Sequence, residues 1–307
     1  MRSWLPLCRL AAGIAVTTAA CAPRVAPAPP SVSQPMAIAD TSPALSIPTD
    51  NRREFQFRAG QYSYGLLQTA LLTIARDTLP STVDTISIAG SVTYTVTGAE
   101  LFQGLLRPSG AVLIDSLLLK STLGDSGPTM RTLSSPALLT LPHQPLPPGA
   151  DSASRNLSTA CSELDTTARD IVQGLTLTMP AVIARGAVWT DSSTTHQCRN
   201  GFPIEMSALS RYQVDDIRDS AGIQLVQIRR TTTVLASGSA TSGSRHITVQ
   251  GAGDSQTLFV YDARGYLLQA TGQASLSLTL QAGQHIDRAT QQLTTSARLT
   301  GAPPMEH

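Results

Sequence analysis

The sequence predicts a mainly β protein: a long-stranded antiparallel curled sheet or unclosed barrel with one amphipathic helix. Three observations predict it. Residues 266–281, "YLLQATGQASLSLTLQ", place Tyr266, Leu268, Ala270, Gly272, Ala274, Leu276, Leu278 and Leu280 at every second position, with Gln, Thr and Ser between most of them. Such alternation marks a strand with one buried face, and at about 3.3 Å per residue it runs roughly 50 Å, long enough to require a curled sheet. Short turn clusters then separate this run from neighbours of the same kind, which is the pattern of an antiparallel meander. Only residues 157–175 show helical spacing instead.

Taken from the start, residues 1–20 have the parts of an export signal. Arg2 and Arg9 supply positive charge, "LAAGIAV" (10–16) a short apolar core, and "TTAA" small residues before Cys21. The core is too short to span a bilayer. "TAAC" (18–21) resembles a bacterial lipobox, with Thr18 where that pattern usually has leucine. The resemblance implies cleavage before Cys21 and acylation of its thiol. Plain secretion would instead cleave after Ala22, before Pro23, whose missing N–H and restricted neighbour make it a poor site. Residues 21–50 are proline-rich and polar, as a tether should be. Thirty residues in polyproline II form reach roughly 90 Å.

Residues 51–303 form the β-rich domain, in which two β halves of similar rhythm are expected, 51–123 and 180–303. In the first, residues 54–77, 81–101 and 110–121 alternate. Residues 124–155 are rich in Pro, Ser and Gly and read as a crossing loop. The helix is expected over 158–174. Leu157, Cys161, Leu164, Ala168, Ile171, Val172 and Leu175 share one face, Ser158 suits the N-cap, and Gly174 can end it. That apolar face needs a surface, and the concave side of the sheet supplies one. In the second half, strands flank turns at "RDSAG" (218–222), "DARG" (262–265) and "QAGQH" (281–285). "GAGDS" (251–255) reads as a bulge or sharp bend, and the carboxylates of "VDDIRD" (214–219) as turn residues.

Composition narrows the function. A net charge of +1 provides no basic field for nucleic acid, and 4% aromatics disfavour stacking platforms for single strands or sugars. Cys8 leaves with the signal, so Cys161 and Cys198 remain as a pair. In an exported chain such a pair reads as a disulfide, tying the helix to the "THQCRNGF" loop and contributing roughly 4 kcal/mol. No C-x-x-C supports a redox role. The five histidines, at 143, 196, 246, 285 and 307, have no i, i+4 pair, so no metal or other cofactor is expected. G-x-S-x-G and S-x-x-K are absent, and no catalytic residue is assigned.

The anchor signal, the long strands and the single helix together resemble the unclosed β-barrels of bacterial lipoprotein carriers and related cell-envelope lipoproteins. The resemblance implies a non-enzymatic protein on the periplasmic face of the outer membrane, held by an N-terminal lipid at Cys21. Its concave apolar face would accept an acyl chain or other amphiphile, with the helix as lid. Two other expectations stand beside it. A structural lipoprotein with a filled core would dock an envelope protein, and an envelope hydrolase would carry a Ser–His pair in a polar cleft. A transmembrane barrel is disfavoured by the missing aromatic girdles and by a C-terminus that ends "APPMEH".

Overall fold

The computed structural model describes residues 45–49, 52–76, 79–102, 104–122, 129–132, 137–141, 171–199, 202–220, 222–242 and 245–302. The signal, most of the tether, Cys21, Cys161 and residues 158–170 of the expected helix lie outside them. One antiparallel sheet carries the fold. Its long members are β2 (Gly60–Arg76), β3 (Leu79–Phe102), β4 (Leu105–Ser121), β9 (Val188–Arg199), β10 (Phe202–Ser220), β11 (Ile223–Ser242), β12 (Arg245–Asp262), β13 (Tyr266–Ala282) and β14 (His285–Gly301). The shorter strands are β1 (Arg53–Glu54), β5 (Thr129–Thr132), β6 (Ala137–Leu141), β7 (Met179–Pro180) and β8 (Val182–Ile183). The order is β5-β4-β3-β2-β14-β13-β12-β11-β10-β9, with β6 and β7 also pairing with β4.

The expected curled, mainly β architecture is therefore present, and the segments expected as two halves join in one sheet through β2 and β14. Leu66 lies opposite Ala297 and Ala70 opposite Leu293 across that join. Glycines close the tight turns where the sequence places them: Gly222, Gly265 and Gly283 all take positive φ, a conformation that costs other residues strain. Gly265 is needed twice over. A Cβ there would run into the Gln56 carbonyl, because residues 56–58 cross the turn and the Arg58 amide donates to the Gly265 carbonyl at 3.2 Å.

Strands β4 and β9, at opposite ends of the run of long strands, are brought together at one end. Residues 178–180 bridge them: β7 pairs with Leu105 and Leu106 of β4, and Trp189 Nε1 of β9 donates to the Thr178 carbonyl at 2.9 Å. Trp189 stacks on Tyr212 of β10, centroids 5.2 Å apart and planes within 5°. Residues 171–175 are helical, and Ile171, Val172 and Leu175 enter the main core with Phe55, Leu177, Met179 and Ile183. The described end of the helix thus covers the concave face, as its apolar spacing requires.

Three local expectations are corrected. Residues 251–255 run in unbroken register within β12, without a bulge or bend. Gly251 and Gly253 serve close strand approach instead, since a Cβ on either would meet the β13 backbone and the Leu278 or Leu276 side chain. The carboxylates of 214–219 lie within β10 rather than at a turn. Asp215 is the extra residue of a bulge and pairs with Arg229 at 2.7 Å. The "THQCRNGF" segment is mostly strand, with Cys198 in β9 opposite Pro203; the polar residues that read as a loop suit a strand at the border of the sheet equally well.

Candidate ligand-binding face

Antiparallel register sorts the inward positions into rows across the sheet. Near the plugged end one row reads Val214, Ile228, Phe259, Ala270, Ala297, Leu66, Gly90 and Leu117. Val214, Ile228 and Phe259 are 0% exposed and Ala297 is 1%. This half is a filled core. The gap left inside it, among Tyr62, Tyr64, Tyr94, Tyr261 and Tyr266, is about 40 Å³ and holds little more than a water. Tyr64 and Tyr94 meet edge to face at 5.5 Å, and Tyr62 stacks on Tyr266 at 5.4 Å. Burial pushes the Tyr64, Tyr94 and Tyr261 hydroxyls well above their usual ionisation range.

The next row along is polar in its middle, with Arg230, Thr257, Gly272, Thr295 and Gln68 flanked by the buried Tyr212 and Ile88. Gln68 Nε2 donates to Thr295 Oγ1 at 3.3 Å. One row further, the Ser210 and Thr232 hydroxyls share a hydrogen bond of 2.9 Å beside Ala274 and Leu293.

Beyond this belt the inward face turns apolar again. Successive rows hold Val234, Leu276 and Leu72, then Met206, Ala236, Leu278 and Ile74, then Ile204, Val249 and Leu280. Ile204, Ala236 and Val249 form a second small core with Met206, Leu278 and Leu280. Here Leu72, Val234, Leu276, Leu278, Leu280 and Leu293 are only half-buried. The open hollow of about 420 Å³ at this end belongs mainly to the outer side, where Glu205, Ser237, Ser239, Thr248 and Gln250 line it beside Ile204, Gly238 and Val249. The outward positions of β13, from Gln269 through Ser275 to Gln281, are polar and exposed. Apolar inside and polar outside is the reverse of a lipid-embedded barrel wall.

A bulge decides which residues reach this face. Val260 pairs with Gln269 but Tyr261 with Leu267, so Leu268 is the extra residue. Simple alternation assigns Leu268 to the inner side. The bulge turns Leu267 inward at 6% exposure and leaves Leu268 half-buried.

Among the described residues, those singled out in the sequence do not converge on a reactive centre. Asp191 lies on the inner face of β9, opposite Ser210, and is bound by Arg107 and Thr178. His196 and Cys198 stand an odd number of residues from it in the same strand, hence at positions of the opposite face. Among the described residues no cluster of three or more His, Cys, Asp or Glu is placed to hold a metal. Arg230, which sequence reasoning passed over, is an inward cation of this face, as Arg107 beside Asp191 is at its border. It follows Arg229 in "RRTTT", and alternation alone sends one of the two inside.

No protein-family model matches this chain, and no curated protein matches it. Among solved structures it is weakly similar to OmpT, an in-vitro folded outer membrane protein of Vibrio cholerae in its trimer form. The identity is 6%, over 78% of this chain and 100% of that one, with a TM-score of 0.17. A loop L8 deletion mutant of the same protein gives 9% identity, coverage of 79% and 100%, and a TM-score of 0.13. Likenesses this low carry no argument about fold or function. No described helix is long and apolar enough to cross a membrane.

Proposed function

We propose that this chain is an exported, lipid-anchored, non-enzymatic protein of the cell envelope that takes up the apolar part of an amphiphile on its concave face. The observation that carries the reading is the contrast along that face. The same side of the same strands is filled at one end and half-buried at the other, where Leu276, Leu278 and Leu280 stand. Apolar surface left in this state gains by meeting an apolar ligand, about 25 cal/mol per Å² removed from water. The lipobox-like "TAAC" supports acylation at Cys21 and residence at the periplasmic face of the outer membrane, and the Cys161–Cys198 pair suits that oxidising compartment.

Two measurements test this. A Cys21→Ala chain should leave the membrane fraction and become soluble, and continued membrane association would refute the anchor. That soluble chain, purified from its own host without detergent and denatured, should yield a stoichiometric amphiphile by mass spectrometry. Bare protein from several preparations would refute the uptake reading.

A second reading has its own observation. Leu101 is 69% exposed and Phe102 45% exposed at the β3–β4 hairpin tip, apolar surface that suits docking on an envelope protein. Photo-crosslinking from position 101 in intact cells would capture that partner, and labelling no stronger than from the polar Thr279 would dismiss it.

A further inference from the structure

We propose that Arg230 receives the anionic head group of the bound amphiphile, which makes the ligand class a single-chain amphiphile with a carboxylate head. The proposal rests on the uptake reading above and adds charge and orientation to it.

Arg230 stands in the belt where the filled core ends. Its Nη2 donates to the Gly174 carbonyl at 3.1 Å and to Thr257 Oγ1 at 3.4 Å, and its Cζ lies 5.0 Å from the Phe259 ring centroid. The guanidinium is thus held from below by the helix end and the plugged core. Its Nε is buried and has no hydrogen-bond partner, alone in this among the side-chain polar atoms of the described residues. A buried donor without an acceptor is costly, more so on a charged group.

The contrast with its neighbour is direct. Arg229, one residue earlier and on the outer face, has the Asp215 carboxylate at 2.7 Å. Arg107, Arg185 and Arg264 also have carboxylate partners, whereas among the described residues none is placed against Arg230. An acceptor-only anion such as a carboxylate is the group that would complete Nε, through one charge-assisted bond, since Nη2 already donates to Gly174 and Thr257.

Spacing fixes the orientation. From the row of Arg230, Leu293 stands two residues further along, Leu276 four and Leu278 six, or roughly 7, 13 and 20 Å at 3.3 Å per residue. One acyl chain fills half of a hydrocarbon core of about 30 Å, so it reaches roughly 15 Å. A head at Arg230 therefore lays its tail over Leu293 and Leu276 toward Leu278.

The test compares palmitate with hexadecanol, which has the same tail and no charge, on the purified Cys21→Ala chain after delipidation. Titration is followed by isothermal calorimetry. The wild-type pocket should prefer palmitate by about tenfold or more, the scale of one charged hydrogen bond. Arg230→Gln should erase the preference while hexadecanol still binds, and Arg230→Lys should keep part of it. Trp189 fluorescence checks that each variant is folded. Equal binding of both ligands by wild type, or a preference untouched in folded Arg230→Gln, overturns the head-group assignment and leaves uptake standing. Binding of neither ligand overturns both.

Discussion

Arg107 Nη2 on β4 donates to Asp191 Oδ1 on β9 at 3.4 Å, although seven strands lie between β4 and β9 in the sheet. The contact measures how far the sheet curls. Asp191 also accepts from Thr178 Oγ1 at 3.1 Å, in the segment that bridges the two strands. One carboxylate therefore ties β4, β9 and the segment that bridges them.

Replacing Asp191 by Ala should cost more than replacing Arg107. Asp191→Ala strips the acceptor from the buried Thr178 hydroxyl and from a guanidinium together, a loss of about 1–3 kcal/mol. Arg107→Ala removes one partly exposed ion pair, about 1 kcal/mol or less. Urea unfolding followed by Trp189 emission measures both, and the opposite ranking would show that the ion pair outweighs the bridge. Trp189 suits this purpose: it is 1% exposed, and the other tryptophan, Trp4, lies outside the described residues.

Gly253→Ala should destabilise by about 1–3 kcal/mol through overpacking. Its Cβ would be driven into the Ser275 carbonyl and Leu276 of β13. Thermal unfolding should show a lowered midpoint. An unchanged midpoint would mean that β12 and β13 separate freely there.

Acid should weaken the fold at the β12–β13 turn. Burial raises the Asp262 carboxyl's pKa, but side-chain and backbone hydrogen bonds from Arg264 outweigh it and hold the value below the ordinary one. The Arg264 amide donates to Oδ1 at 2.8 Å and Nη2 to Oδ2 at 2.6 Å. A depressed folded pKa means stability that is complete above the unfolded value, near 4, and is lost as pH falls through the folded one. Asp262→Asn should flatten the urea midpoint between about pH 4 and pH 2 relative to wild type. An identical slope in the two chains would contradict the assignment.

Alkali should act through the tyrosines, with the opposite sign. Tyr64, Tyr94 and Tyr261 have raised folded values because burial disfavours the phenolate. Their contribution is full below the unfolded value, near 10, and declines as pH rises beyond it. Absorbance of tyrosinate should therefore appear together with unfolding rather than ahead of it. Gradual ionisation of all six tyrosines while Trp189 emission stays native would sink this.

The sheet was legible because its signal is local and redundant. Alternation in 266–281 and glycines at 222, 265 and 283 each set backbone geometry without distant partners. Bulges were not, because one extra residue such as Leu268 changes which side faces in while leaving the composition of the run intact. Nor was the candidate site. Arg230 and Leu276 lie on strands β11 and β13, separated by β12, and their rows follow from pairing register, which no single segment encodes. The end of the helix was legible from Ile171, Val172 and Leu175; that Gly174 would present its carbonyl to Arg230 was not.

The pairing of β2 with β14 also governs the order in which the chain becomes a protein. Gln68 and Thr295, bonded across that join, are 227 residues apart. Contacts of such separation form late and slowly, since a long loop must close before they are rewarded. The six consecutive strands β9 to β14 have partners next to them in sequence, whereas β2, the first long strand to be made, has β14 as one of its partners. Synthesis thus yields the two borders of the final join at opposite ends of the chain, and a nascent chain held before residue 285 lacks one of them. The join between β2 and β14 therefore closes only after the last strand has been made.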